Sequence, residues 1–96
     1  MSNQLKTLEI LKKAKPSLLT KYPIKSLAVF GSVSRKEDDE KSDIDILVEF
    51  DHSVGMEFIY LCHDLEELLK RKVDLVSKSG IKEKYLKEIE PELIYV

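Results

Sequence analysis

Gly31-Ser32-Val33-Ser34-Arg35-Lys36-Glu37-Asp38-Asp39-Glu40-Lys41-Ser42-Asp43-Ile44-Asp45 is the stretch that decides how this chain folds. Its Gly-Ser pair closes an apolar run, Leu27-Ala28-Val29-Phe30, and its Asp-Ile-Asp triplet opens another, Ile46-Leu47-Val48. Short apolar runs bounded by polar residues read as β-strands, here over 26–30 and 43–50. The first is apolar on both faces, which predicts a central strand. Two such strands bring a small hydroxyl-bearing turn and two carboxylates to one edge of a sheet. Side chains alternate across a strand, so Asp43 and Asp45 share one face, while Ile44, Ile46 and Val48 share the other, apolar one. Residues 33–42 are almost wholly polar and read as a solvated connection with one helical turn near 34–37.

Working outward, Leu5, Leu8, Leu11 and Ala14 recur at helical spacing, which predicts a helix over 3–14. Pro16 should kink or restart it, with a short further turn to Tyr22. Downstream, Met56, Ile59, Cys62 or His63, Leu65, Leu68 and Leu69 mark an amphipathic helix over 55–71, with Ser53 as its N-cap. Val73-Asp74-Leu75-Val76 is a third strand. Residues 81–90 form a last helix with Ile81, Tyr85 and Ile89 on one face. Pro91 ends it, and 93–96 add an edge strand or dock on the core. The order α, β, β, α, β, α defines an α/β (α+β) fold, a small mixed sheet flanked by helices, rather than a doubly wound nucleotide fold.

Ninety-six residues predict one domain over 1–96. Apolar residues at 43% and charged residues at 35% fit a globular chain rather than a disordered one. A net charge of −2 excludes the global basic field behind non-specific nucleic-acid binding. No apolar run approaches the roughly 20 residues that span a bilayer. The N-terminus lacks the pattern of a signal peptide, and Cys62 stands alone, so the expected location is cytoplasmic.

Two aspartates at i and i+2 on one strand are close enough to share a divalent cation. Alone they repel and raise each other's pKa, and a bound cation removes that penalty. Mg2+ takes oxygen ligands and bridges carboxylates to phosphates. Asp74 interrupts an apolar run, where a charge is costly without a partner. On a neighbouring strand it would be the third carboxylate of a two-ion site, with Mn2+ as the alternative metal. Asp43 and Asp45 would then hold the ion at the triphosphate, and Asp45 and Asp74 the ion at the attacking hydroxyl. Gly31 lets backbone approach phosphates, and Ser32 can donate its hydroxyl and N–H to a phosphate oxygen. Arg35 can clamp a phosphate or pack against the carboxylates, and Lys36 can add charge at the same mouth.

Each of these residues has a plainer reading. Gly31-Ser32 alone is an ordinary strand-ending turn, and Asp43 and Asp45 alone are a solvated strand edge. Asp74 could be an exposed edge charge or a partner of Lys72, and Arg35 a surface partner of Glu37 or Asp38. His52 and His63 lack metal-ligand spacing, and Cys62, Tyr60 and Tyr85 fit helix packing or partner contacts.

Gly-Ser, ten residues, Asp-x-Asp is the pattern of polymerase-beta-like nucleotidyltransferases. With Arg35, Ser42-Asp43-Ile44-Asp45-Ile46-Leu47-Val48 and Val73-Asp74-Leu75-Val76, the chain resembles the minimal nucleotidyltransferase (MNT) family over nearly its whole length. The resemblance implies that fold, ATP as donor substrate, Ser32 as the phosphate-binding serine, and Asp43, Asp45 and Asp74 as metal ligands. It implies transfer of AMP to a tyrosine of a HEPN ribonuclease toxin, with this chain as the antitoxin. One departure is Ser34-Arg35-Lys36-Glu37, where members often carry Ala-Arg-Gly-Glu; the missing glycine touches no metal ligand. The chain does not resemble the HEPN ribonuclease itself, since neither Arg35 nor Arg71 is followed by histidine at that family's spacing.

Two other functions fit the same residues. The chain could neutralise a partner by occlusion without catalysis, which an Asp45→Asn variant that still neutralises would reveal. It could also transfer nucleotides to RNA or a small molecule, which labelled product there and none on protein would reveal.

Overall fold

The two apolar runs form the centre of a four-stranded sheet. A computed structural model describes residues 3–96; Met1 and Ser2, which open the expected single domain, lie outside the described residues. Strand β1 (Ile24–Phe30) runs antiparallel to β2 (Ile44–Phe50), with Phe30 opposite Asp45. Strand β3 (Val73–Ser77) pairs parallel with β2, and the two-residue β4 (Ile94–Tyr95) closes the other side against β1. The order β3-β2-β1-β4 makes the sheet mixed and places β1 inside it, as its two-sided apolar sequence requires.

Alternation along the strands builds two apolar layers. Leu27, Val29, Ile44, Ile46 and Val48 face the long helices α1 (Asn3–Lys21) and α2 (Glu57–Leu69), against Leu11, Leu18, Leu61, Leu65 and Leu69. Phe30 and Leu47 face the opposite way, toward Ile89 of the short helix α3 (Glu83–Ile89). A single 3-10 turn, Glu90–Glu92, carries Pro91 and leads into β4.

Expectations for all three helices are corrected. Helix α1 is not broken at Pro16 but continues to Lys21. A proline removes one backbone hydrogen bond, whereas Leu11 and Leu18, buried on either side of it, hold both halves on the sheet. The inward face of α1 runs through Thr7, Leu11 and Leu18, and Leu5 lies outside it, exposed.

On α2 the buried stripe is Leu61, Leu65 and Leu69, while Met56, Ile59 and Leu68 are exposed. The helix offers two apolar stripes, and periodicity alone does not tell which one the sheet covers. Ser53 does not cap it; the N-cap position is Met56, with no side-chain hydrogen bond. In α3 only Ile89 is buried, and Tyr85 is exposed.

The segment 33–42 departs from a solvated connection at two points. Val33 is fully buried in the main core, and Asp38 has a nearly covered carboxylate paired with Arg71. The expected helical turn is a series of tight turns that starts at Gly31.

Candidate nucleotide and metal site

The turn after β1 is built around Gly31. Its φ is +74°, a left-handed conformation that side-chain-bearing residues avoid, and a Cβ there would stand 2.1 Å from Asp45 Oδ2. The position therefore needs glycine twice over: for the direction of the turn, and for the carboxylate that leans on it. The Gly31 carbonyl accepts the Arg35 N–H at 3.1 Å, and the Ser32 carbonyl accepts the Glu37 N–H at 2.8 Å. Buried Val33 anchors the turn from beneath. The Gln4 amide of α1 donates to the Ser34 carbonyl at 2.9 Å, and the Ser34 hydroxyl donates to the Glu92 carbonyl. The loop is thus tied at both ends of the chain, with Ser32 half-exposed at its tip.

The carboxylates meet across β2 and β3. Parallel register sets Asp45 beside Asp74, and Asp43 sits just ahead of β2, exposed. The Ile44 N–H donates to the Lys72 carbonyl at 2.9 Å, which fixes the backbone at the start of both strands. Burial holds the Asp45 carboxyl up, at about 6 against an ordinary 3.8. The Asp74 charge, a hydrogen bond shared with Asp74 and the Asp43 charge add to it, and Arg35 partly offsets it. A negative edge of this kind holds its last proton to higher pH than an ordinary carboxylate, and a bound cation would remove that penalty.

Among the described residues no three His, Cys, Asp or Glu side chains converge closely enough to enclose a metal by themselves. Asp45 and Asp74 are brought together, and Asp43 lies within electrostatic range of Asp45. Hard oxygen donors of this number, open on one side, fit Mg2+, which keeps positions for water and phosphate oxygens rather than filling a protein cage.

Arg35 is not an unengaged clamp. Its guanidinium bridges Glu37 at 3.2 Å and also pairs with Glu92. Of the two expected surface partners, Glu37 is engaged and Asp38 instead binds Arg71. Among the described residues Asp74 makes no ion pair with Lys72; it stands in register beside Asp45. Tyr85, which fits helix packing or a partner contact by sequence, is exposed, and its hydroxyl is held above its usual range, first by partial desolvation and then by the charges of Asp45 and Asp74. The sequence signal for it is its place one helical turn before the buried Ile89. A cavity of about 610 Å3 lies elsewhere, at the far ends of β2 and β3, lined by Glu49, His52, Ser53, Ser77 and Lys78 among others. It contains none of the three aspartates.

A glycine-serine turn thus packs onto the Asp45 carboxylate, with Asp74 in register beside it on the parallel neighbouring strand of a mixed sheet. The chain belongs to the nucleotidyltransferase domain family, whose model matches residues 11–96, and within it to the minimal nucleotidyltransferases. A Methanocaldococcus jannaschii protein, named for an inferred protein adenylyltransferase activity, is 52% identical over 90 residues, covering 92% of each chain. Protein adenylyltransferase MntA of Thermococcus cleftensis is 41% identical over 88 residues, covering 91% of this chain and 89% of its own. A solved structure described as a minimal nucleotidyltransferase superposes with a TM-score of 0.81 at 34% identity, over 98% of this chain and 95% of that one. The same fold recurs in the structure of a tri-AMPylated HEPN toxin with its MNT antitoxin from Shewanella oneidensis. That match has a TM-score of 0.62 at 21% identity, over 99% of this chain and 71% of that one. The protein is therefore a nucleotidyltransferase with the polymerase-beta-like architecture expected from its sequence. Among the described residues no helix is long and apolar enough to cross a membrane.

Proposed function

We propose that this nucleotidyltransferase moves AMP from ATP to a hydroxyl of a partner protein, a tyrosine of a HEPN ribonuclease toxin, and so acts as the antitoxin of that pair. The observation that carries the proposal is the packing of Gly31 on Asp45 with Asp74 in register beside it. The relatives named protein adenylyltransferases, similar over nearly their full length, support the choice of a protein acceptor. The Shewanella oneidensis complex supports the choice of a HEPN toxin.

In this reading the Gly31-Ser32 turn receives the triphosphate. The missing Cβ at Gly31 leaves room for the Asp45 carboxylate against the turn, and Ser32 offers a hydroxyl and an N–H to a phosphate. Asp43, Asp45 and Asp74 would hold Mg2+, which supplies charge neutralisation of the triphosphate and a lowered pKa for the acceptor hydroxyl. Asp45, whose carboxyl is held at about 6, would release its remaining proton to solvent as such a cation bound. The acceptor oxygen then attacks the α-phosphorus, its proton leaves to solvent, and the bond to pyrophosphate breaks. Arg35 is released from Glu92 and Glu37 only if a phosphate outcompetes those two carboxylates, which makes it a secondary contact.

The test is incubation with Mg2+ or Mn2+ and each nucleoside triphosphate, with and without the partner protein, read by intact mass. A gain of one or more AMP on the partner, lost in Asp43→Asn and Asp45→Asn, is the expected result. A stable complex with no mass gain under any condition would replace transfer by occlusion. Label on RNA or a small molecule with none on protein would replace the acceptor.

A further inference from the structure

Asp43 lies outside the strand it precedes, exposed, with nothing in β2 to hold it. Its two chain neighbours, however, are both bound, and both by the connection between α2 and β3. Before it, the Ser42 carbonyl accepts a hydrogen bond from Arg71 Nη2 at 2.7 Å. After it, the Ile44 N–H donates to the carbonyl of Lys72 at 2.9 Å. Arg71 and Lys72 stand three and two residues before Asp74. The backbone of one aspartate is thus gripped on both sides by the segment that leads into another.

Arg71 is itself held. Its Nη1 donates to Asp38 Oδ2 at 2.8 Å, and the pair is nearly dry, with side-chain exposures of 15% for Arg71 and 2% for Asp38. The guanidinium fork therefore spans two points of the loop before Asp43, residue 38 and residue 42, from a fixed base at the end of α2. A planar fork with a fixed angle between its donors sets an orientation, which an ammonium cannot do. Asp39 finishes the job locally: its Oδ1 accepts the N–H of Lys41 at 2.8 Å and of Ser42 at 3.0 Å.

We infer that Arg71 is a positioning residue of the site: through Asp38 and the Ser42 carbonyl it fixes Asp43 relative to Asp74. It does not touch nucleotide or acceptor, because its charge is spent on Asp38 in a covered position. The inference rests on the reading of the aspartates as the working site, and it has a readout independent of transfer.

The experiment compares Arg71→Lys with wild type. Lysine keeps a positive charge for Asp38 and loses the second arm to Ser42, so the fold persists while the orientation of Asp43 relaxes. Three quantities are measured on the full chain: melting temperature, amide hydrogen exchange at Ile44 against Ile46, and nucleotide transfer with Mn2+ affinity in the presence of ATP. The expected result is a folded variant with exchange accelerated at Ile44 and not at Ile46. Mn2+ affinity should fall ~10-fold or more, the scale seen when groups that orient metal ligands are removed. Transfer should fall in kcat, with the KM for ATP little changed, and raised Mn2+ should restore part of it. Wild-type exchange at Ile44 with wild-type Mn2+ affinity in Arg71→Lys overturns the inference. So does a loss of transfer that tracks melting temperature alone, with exchange accelerated alike at Ile44 and Ile46. If wild type itself transfers nothing, the proposed function fails, and the exchange and Mn2+ measurements still decide the role of Arg71.

Discussion

Replacing Asp45 by Asn should stabilise the metal-free chain at neutral pH while ending nucleotide transfer. Burial and the facing Asp74 hold the Asp45 carboxyl at about 6 against an ordinary 3.8. If fully expressed, a displacement of that size is worth about 3 kcal/mol. Asp45 is partly exposed, and solvent screening reduces this to about 1–2 kcal/mol. For a domain of this length the gain corresponds to about 5–10 °C in melting temperature. Asn keeps the shape that fits against Gly31, and its amide can donate to Asp74 where a second carboxylate could not.

The sign follows from proton counting. The folded chain holds the Asp45 proton up to about pH 6, whereas the unfolded chain releases it near 4. Between those values the folded state binds more protons, so wild-type stability falls through this group as pH rises. The advantage of Asp45→Asn is therefore absent below about pH 4 and complete above about pH 7. Thermal melts in EDTA across that range test it. A variant that melts below wild type at pH 8, or one whose gain is the same at pH 4, would refute the account of a strained acidic edge. Adding Mg2+ and a non-hydrolysable ATP analogue should reverse the order, because only wild type then gains from binding.

Asp43→Asn should leave the melting temperature within a few degrees and reduce transfer by ~100-fold or more, as loss of a preorganised electrostatic contact does, read by partner mass. Gly31→Ala should destabilise by about 1–2 kcal/mol from its left-handed backbone alone, measured by urea unfolding, and should displace Asp45 and abolish transfer. Pro16→Ala should stabilise by about 1–2 kcal/mol, since α1 already runs through that position and regains one backbone hydrogen bond; an unchanged or lower urea midpoint would sink the explanation given for the unbroken helix.

Much of this molecule can be read in one dimension because its signals are local. Alternation along 44–50 assigns the inner and outer faces of β2 without any partner, since neighbouring side chains must point opposite ways. The two-sided apolar run at 27–30 announces a central strand, and β1 is central. Helix faces were less legible. Both Ile59 and Leu61 sit on apolar stripes of α2, and only the position of the sheet decides that Leu61 is buried and Ile59 exposed. Pro16 was read by its local cost, while the distant contacts of Leu11 and Leu18 outweigh it.

The acidic site divides the same way. Gly31, Ser32, Asp43 and Asp45 are adjacent in the chain to the strands that present them, so spacing alone places them at one sheet edge. That Asp74 stands beside Asp45 depends on the parallel register of β2 and β3. The contacts that hold the edge in shape are longer in reach: Arg71 to Asp38 and Ser42, Gln4 to Ser34, Glu92 to Ser34 and Arg35. Tyr85 comes near Asp45 and Asp74 only because α3 folds over Phe30 and Leu47. The sequence by itself determined the chemistry, because chemistry depends on residue types at short spacing along a strand. Only the tertiary structure decided how that chemistry is held, because a charge such as Asp38 in a polar run looks solvated until another part of the chain closes over it.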